Sequence, residues 1–290
     1  MPHISTALWR SPLLNVKDID MIKYRLLLSV FTVFFTAGIM AKELPEKFEW
    51  PDGYQLAVSL SFDDARHSQI DTGLVLFDKY DAKATFYVVP DRVKERLEGW
   101  KQAVVNGHEI GNHTLYHPCT GNLDWVKPDN TIENYTLKRM RAELLDANQQ
   151  IQQLLGTTPE SFAYTCGDVT VGHGFNNKSY IPVVAELFSS GRGWQNEAAN
   201  NPEKVDMSHV LSMKMDDMSF DNIIAIIEQA RKKGYWLVLA GHEIGQEDGA
   251  YTTRTAMLER LLAYVHDKKN KIWIAPVGTI SQYIRNNRKN

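Results

Sequence analysis

The chain has 290 residues, 43% hydrophobic and 23% charged, which suits one large globular domain or two small ones and excludes a disordered chain. A formal charge of -3 leaves no case for a nucleic-acid partner, whose phosphates demand a basic face. Seven Trp and twelve Tyr leave room for sugar-stacking surfaces, although core packing accounts for most aromatic residues.

The N-terminus reads as an export signal. Lys23 and Arg25 precede an uncharged run, Leu26 to Ala41, that is shorter than the roughly 20 residues needed to span a bilayer. Residues 1–41 are therefore expected to be a cleaved signal rather than a stable transmembrane anchor, and the protein to be periplasmic or secreted. Asp18 and Asp20 lie ahead of the positive region, which makes Met21 an alternative start. Residues 42–53 form a leader containing Pro45 and Pro51, and residues 54–290 the main domain. Cys119 and Cys166 would then sit in an oxidising compartment, where pairing is allowed; the sequence leaves their pairing open.

Beyond the leader, strand-like stretches lie near 55–62, 83–89, 107–112, 161–166, 209–215, 235–241 and 271–276. Amphipathic stretches separate them. Ile70, Leu74 and Phe77 mark the first; the longest runs from about Thr131 to Leu155 and stops at Gly156. Another begins near Ser219, places Ile223, Ile226 and Ile227 on one face and ends at Gly234, and the last large one holds Met257, Leu258, Leu261, Leu262 and Val265. Strict alternation predicts a parallel sheet with right-handed crossovers, doubly wound or closed, and seven strands favour a distorted (β/α) barrel.

In either architecture the chemistry gathers at the carboxyl ends of the strands. The first strand ends in Asp63 and Asp64, the third in GNHTLYH, the fourth in Cys166 and Gly167, and the sixth in Gly241, His242 and Glu243. Adjacent carboxylates repel unless a cation or a shared proton stands between them. Alone the pair is better explained by a turn or a helix cap. His113 and His117, four apart, can share a metal, and a carboxylate from a neighbouring strand end completes a two-His, one-carboxylate set.

SFDD, GHEIGNHTLYH, FAYTCG and LVLAGH, in this order, resemble the motifs of the polysaccharide deacetylase family, also called the NodB-homology or carbohydrate esterase family 4 enzymes. The resemblance covers roughly Tyr54 to Ile284. It implies a distorted barrel and a divalent metal, often zinc, used to hydrolyse acetyl groups from sugars. It also implies roles: Asp63 as general base, Asp64, His113 and His117 as metal ligands, His242 as general acid, and the main-chain N–H of Cys166 as oxyanion donor. The chemistry agrees with those roles. A carboxylate can take a proton from an acidified water, a backbone N–H can meet the developing oxyanion, and His has the pKa to protonate a leaving group near neutrality.

Two motifs depart from the pattern. FAYTCG carries Ala163 and Thr165 where Arg and Pro are common, and Arg192, in SSGRGW, is a candidate to approach the base instead. An Asp-Trp fourth motif is missing. His108 sits before the rim and reads as structural, His67 lies close enough to Asp64 to face the site, and Trp125 and Trp194 fall in rim loops where stacking competes with packing. The expected function is an exported deacetylase acting on an acetylated carbohydrate, as an amidohydrolase or an esterase; the alternative is a non-catalytic carbohydrate-binding or assembly protein that keeps the fold.

Overall fold

The computed structural model describes residues 47–247 and 249–289. The expected signal over residues 1–41 lies outside them. Among the described residues no helix is long and apolar enough to cross a membrane.

One parallel sheet organises the fold. Its strands are β1 Leu56–Asp63, β2 Thr85–Val88, β3 Glu109–Asn112, β4 Ser161–Ala163, β5 Ser190–Arg192, β6 Met213–Lys214, β7 Trp236–Gly241 and β8 Ile272–Ile274. Seven of them follow one hydrogen-bonded path, β5-β4-β3-β2-β1-β7-β6. The eighth, β8, pairs with the first half of β1, where Leu56 lies opposite Ile272, while β2 takes the second half, with Asp63 opposite Tyr87. Every residue of β1 is buried, as a strand covered on both faces must be. The two ends of the path meet: Val210 donates to Gly191 at 2.7 Å and accepts from Gly193 at 2.8 Å, three residues before β6 pairs with β7. The sheet thus curls into the distorted barrel expected.

Three expectations need correction. Ser190–Arg192 is a strand the sequence did not reveal, since three residues, one of them Gly191, carry no periodicity. The fourth strand ends at Ala163 rather than at 166, because Cys166 takes a left-handed conformation with φ 54° inside a tight turn. The longest helix starts six residues later than read. Thr136 caps it by accepting from the Arg139 N–H.

The helices that cover the sheet are α1 Leu74–Lys79, α2 Leu97–Val105, α3 Leu137–Leu155, α4 Ile181–Leu187, α5 Phe220–Lys233, α6 Thr255–His266 and α7 Val277–Asn287. α3 ends at Gly156 (φ 71°) and α5 at Gly234 (φ 70°), the left-handed caps that glycine adopts at little cost. Phe62 of β1 packs on Phe77 and Phe86 at ring separations of 5.8 and 5.9 Å, and Phe86 meets Trp100 of α2 at 5.4 Å. Removing one such ring costs about 3–5 kcal/mol, so this cluster fixes the height at which β1 delivers its last residues.

Candidate active site

β1 ends by delivering Asp63 and Asp64 to the rim, both nearly buried. Asp64 and Ala65 both turn left-handed, with φ of 78° and 54°, and Thr114, His117 and Cys166 do the same at other strand ends. Non-glycine residues in that region cost on the order of 1 kcal/mol each and cluster where a site is held against local preference.

Asp64 Oδ2 accepts from Arg66 Nε at 3.1 Å and Nη2 at 2.8 Å, which leaves Oδ1 alone to face two imidazoles. His117 Nε2 lies 3.2 Å from it and His113 Nε2 3.5 Å. The opposite ring nitrogens define the tautomers. His113 Nδ1 meets the carbonyl of Ala163 at 3.0 Å, and a carbonyl only accepts, so Nδ1 carries the proton. His117 Nδ1 faces Cys119 Sγ at 3.5 Å, and that sulfur is in a disulfide with Cys166 and has no proton to give. Both Nε2 atoms therefore present lone pairs to a carboxylate oxygen that is buried without a hydrogen-bond partner among the described residues. Three such atoms converging at one point fit a divalent cation. Without one, burial opposes charge on Asp64, and protons on His113 and His117 more than offset that, holding the carboxyl well below its usual range. Burial pushes His113 down, so that ring gives up its extra proton readily to a metal. The disulfide settles the pairing left open in the sequence and takes both sulfurs out of any ligand set.

A framework that the sequence did not announce holds the histidine loop. Glu143, buried on α3, accepts from the N–H groups of Leu115 at 3.2 Å and Tyr116 at 3.0 Å and from the Tyr135 hydroxyl at 2.8 Å. Asn112 Oδ1 accepts from Thr114 N at 2.7 Å, and Thr114 Oγ1 from His117 N at 2.9 Å.

Arg192 reaches Asp63. Its side chain, fully buried at the end of β5, donates through Nη2 to Asp63 Oδ1 and through Nη1 to the Gly193 carbonyl at 2.8 Å, and its guanidinium lies 5.0 Å from the Tyr87 ring centre. The arginine that the third motif lacks is thus present from the next strand.

His242 follows β7. Its Nδ1 meets Asp216 Oδ2 at 2.8 Å, and its main-chain N–H meets Asp216 Oδ1 at 3.1 Å. Asp216 is fully buried and also accepts from Thr253 Oγ1 at 2.7 Å. Asp216 escaped the sequence reading because no Trp follows it, although MDDM comes just after a strand-like stretch, on the rim where carboxylates were sought. Gly241 makes the approach feasible, since a Cβ there would lie 2.7 Å from Asp216 Oδ1 and 2.6 Å from Thr253 Oγ1. Burial alone would lower the His242 pKa, but the bond to Asp216 and the charges of Asp63, Asp64 and Asp216 outweigh it and leave the pKa raised.

Asp63, Asp64, His113, His117, Cys166 and His242 line one cavity of about 770 Å³. Trp194 stands edge-on to His242 at 4.8 Å, and Trp125, 60% exposed, lies 5.7 Å from His117. Two residues stand elsewhere. His108 accepts from the Ala84 N–H at 3.1 Å among Phe77 and Phe86, with its pKa pushed down to about 4 by burial, and His67 pairs with Glu95 in a neighbouring cleft.

The carboxyl rim of a parallel curled barrel thus carries a carboxylate–imidazole cluster and a second acid–imidazole pair. Residues 53–180 match the family model described as polysaccharide deacetylase, so the resemblance seen in the motifs holds over that stretch. An uncharacterized protein, YlxY, of Bacillus subtilis is 27% identical over 176 residues, 57% of this chain and 49% of its own. The peptidoglycan-N-acetylglucosamine deacetylase of Bacillus cereus is 34% identical over 76 residues, 26% of this chain and 36% of that protein. The chain thus spans about half or less of the length of these curated relatives. Among solved structures, a family 4 acetyl xylan esterase from Clostridium thermocellum in complex with a cobalt ion superposes with a TM-score of 0.50 at 20% identity, covering 79% of this chain and 92% of that one. An allantoinase superposes at 0.57 with 16% identity, covering 83% and 94%. At those identities the likeness is one of fold.

Proposed function

We propose that the protein is an exported, metal-dependent carbohydrate deacetylase, with Asp64, His113 and His117 holding the metal. The observation that carries this is the buried, unpartnered Asp64 Oδ1 facing two imidazole lone pairs, in the same cavity as Asp63 and His242. A divalent cation held there, zinc in our reading, would acidify a water toward a pKa of about 7 and polarise an acyl carbonyl.

The chain's own residues do the rest. Asp63, oriented by Arg192, takes the proton from the attacking water. The main-chain N–H of Cys166, on the cavity wall, donates to the oxygen on which negative charge develops. His242, held by Asp216, gives its proton to the departing nitrogen or oxygen of the sugar. An amine leaves poorly unprotonated, so the raised pKa of His242 suits an N-acetyl substrate as well as an ester. The apolar run at Leu26–Ala41 and the Cys119–Cys166 disulfide support export to the periplasm or the cell exterior.

The test is acetate release by the zinc-loaded protein offered chitin oligosaccharides, peptidoglycan and acetylated xylan, with Asp63→Asn and chelated controls. Release from any of them that both controls abolish is the expected result. Tight zinc binding with no release from all three would replace the enzyme with a carbohydrate-binding protein of the same fold.

A further inference from the structure

Three cations stand on the wall of the cavity: Arg66, Arg92 and Lys127. Arg66 is occupied by Asp64 and, at 3.5 Å, by Glu243. Arg92 is engaged more loosely, by Asp64 alone. Arg92, its side chain 42% exposed, comes no nearer to an acceptor than 3.5 Å from the Asp64 main-chain oxygen and 3.6 Å from Asp64 Oδ2. Lys127 lies on the exposed loop after Trp125, and its ammonium meets no acceptor among the described residues.

The acidic groups of the same wall are already taken. Asp63 faces Arg192, Asp64 faces the two imidazoles, Arg66 and, at 3.6 Å, Arg92, and Asp91 holds Lys94 at 2.7 Å. Asp124 and Asp129 flank Lys127 in sequence but do not line the cavity. With a divalent cation at Asp64 the cavity is therefore positive, in a chain whose formal charge is -3. A neutral polymer would leave Lys127 and the exposed part of Arg92 facing water, whereas a planar guanidinium and a mobile ammonium lining one cavity suit a carboxylate.

We propose that this cavity selects an acidic glycan, with Arg92 and Lys127 receiving the carboxylate of a uronic-acid-type residue next to the acetylated sugar. This rests on the deacetylase reading and narrows its substrate class. Neither cation touches the reacting atoms, so they set specificity through binding.

Two comparisons test it. In the first, acetate release is measured from hyaluronan oligosaccharides, which alternate glucuronate with N-acetylglucosamine, and from the same oligosaccharides after carboxyl reduction. The acidic form is expected to have the lower KM, with the difference shrinking as salt rises. Lys127→Ala is expected to raise KM for the acidic form by about fivefold and to leave kcat and the reduced form unchanged, and Arg92→Gln to raise KM for the acidic form by more than for the reduced form. Equal KM values for the two forms, or an equal loss on both in the variants, would overturn the proposal. In the second, calorimetry compares binding of oligoglucuronate and of cello-oligosaccharide of equal length, neither of which carries an acetyl group. Preference for the acid, lost in the double variant, supports the subsite even if no acetate is ever released; indifference overturns it. Melting curves confirm that the variants are folded.

Discussion

Asp216 holds His242 at two points, the ring Nδ1 at 2.8 Å and the main-chain N–H at 3.1 Å, so one buried carboxylate fixes both the tautomer and the position of the imidazole. In the proposed reaction that leaves Nε2 for the substrate. Asp216→Asn is expected to lower kcat by roughly 100-fold, at the low end of what acid–base catalysis contributes. The direction with pH follows from the raised pKa of His242. The protonated form is lost as pH rises through that raised pKa, so removing the Asp216 charge should move the alkaline limb of the kcat profile to lower pH. A bound cation offsets the fields of Asp63 and Asp64, which leaves Asp216 as the main support. An unmoved alkaline limb would mean that another group supplies the proton.

The same pKa has a consequence for stability. A His whose folded pKa is raised adds stability that is complete below the unfolded value near 6.5 and disappears as pH climbs through the folded value. Urea unfolding of the wild type should therefore show a loss of stability through that window that Asp216→Asn lacks. Parallel profiles would contradict it.

Arg192 and Asp63 form an ion pair with both side chains out of solvent. Taking away one partner strands a buried charge, so Arg192→Ala is expected to cost about 3–5 kcal/mol and to abolish turnover. Arg192→Met with Asp63→Asn should recover much of that stability and none of the activity. Denaturant midpoints of the single and double variants check this; additive losses would show that the two charges do not depend on each other.

Glu143 lies on α3, outside the cavity, yet it carries the backbone between the two histidines. Glu143→Gln keeps the shape but replaces one acceptor oxygen with a donor. Zinc affinity, measured by competition with a chelating dye, should fall by about 10- to 100-fold while the fold persists. Unchanged affinity would leave Glu143 a purely structural residue.

The Cys119–Cys166 bridge closes a loop 47 residues apart in sequence, for which chain entropy predicts about 4 kcal/mol. Reduction, or replacing both with Ser, should lower Tm by on the order of 10 °C and weaken metal binding through His117. A Tm that does not respond to reductant would show that the loop is held by its hydrogen bonds alone.

Much of this site was legible because strand ends announce themselves: β1 is a largely apolar stretch, interrupted only by Ser59 and Ser61, that stops at two aspartates, and His113 follows β3 directly with His117 four residues on. Arg192 could be suspected only because the usual arginine was missing. β5, which carries it, is held by pairing with β4 and Val210 rather than by any pattern of its own. Asp216 and Glu143 were hidden for different reasons. The first lacks the aromatic neighbour that marks its motif, and the second occupies an ordinary helix, where a single buried Glu is visible only once Leu115 and Tyr116 are packed above it.

The pairing of Asp63 with Arg192 spans 129 residues, and that distance has a meaning for synthesis. A ribosome releases β1 through β4, with His113 and His117, well before β5 exists. Until then the carboxylate at the end of the central strand has no counter-charge, and burying it is unfavourable. The barrel should accordingly stay open on the ribosome and close only once Arg192 has emerged. Proteolysis of stalled chains of increasing length would then show protection of β1 appearing after residue 192; protection before that point would separate closure from the ion pair.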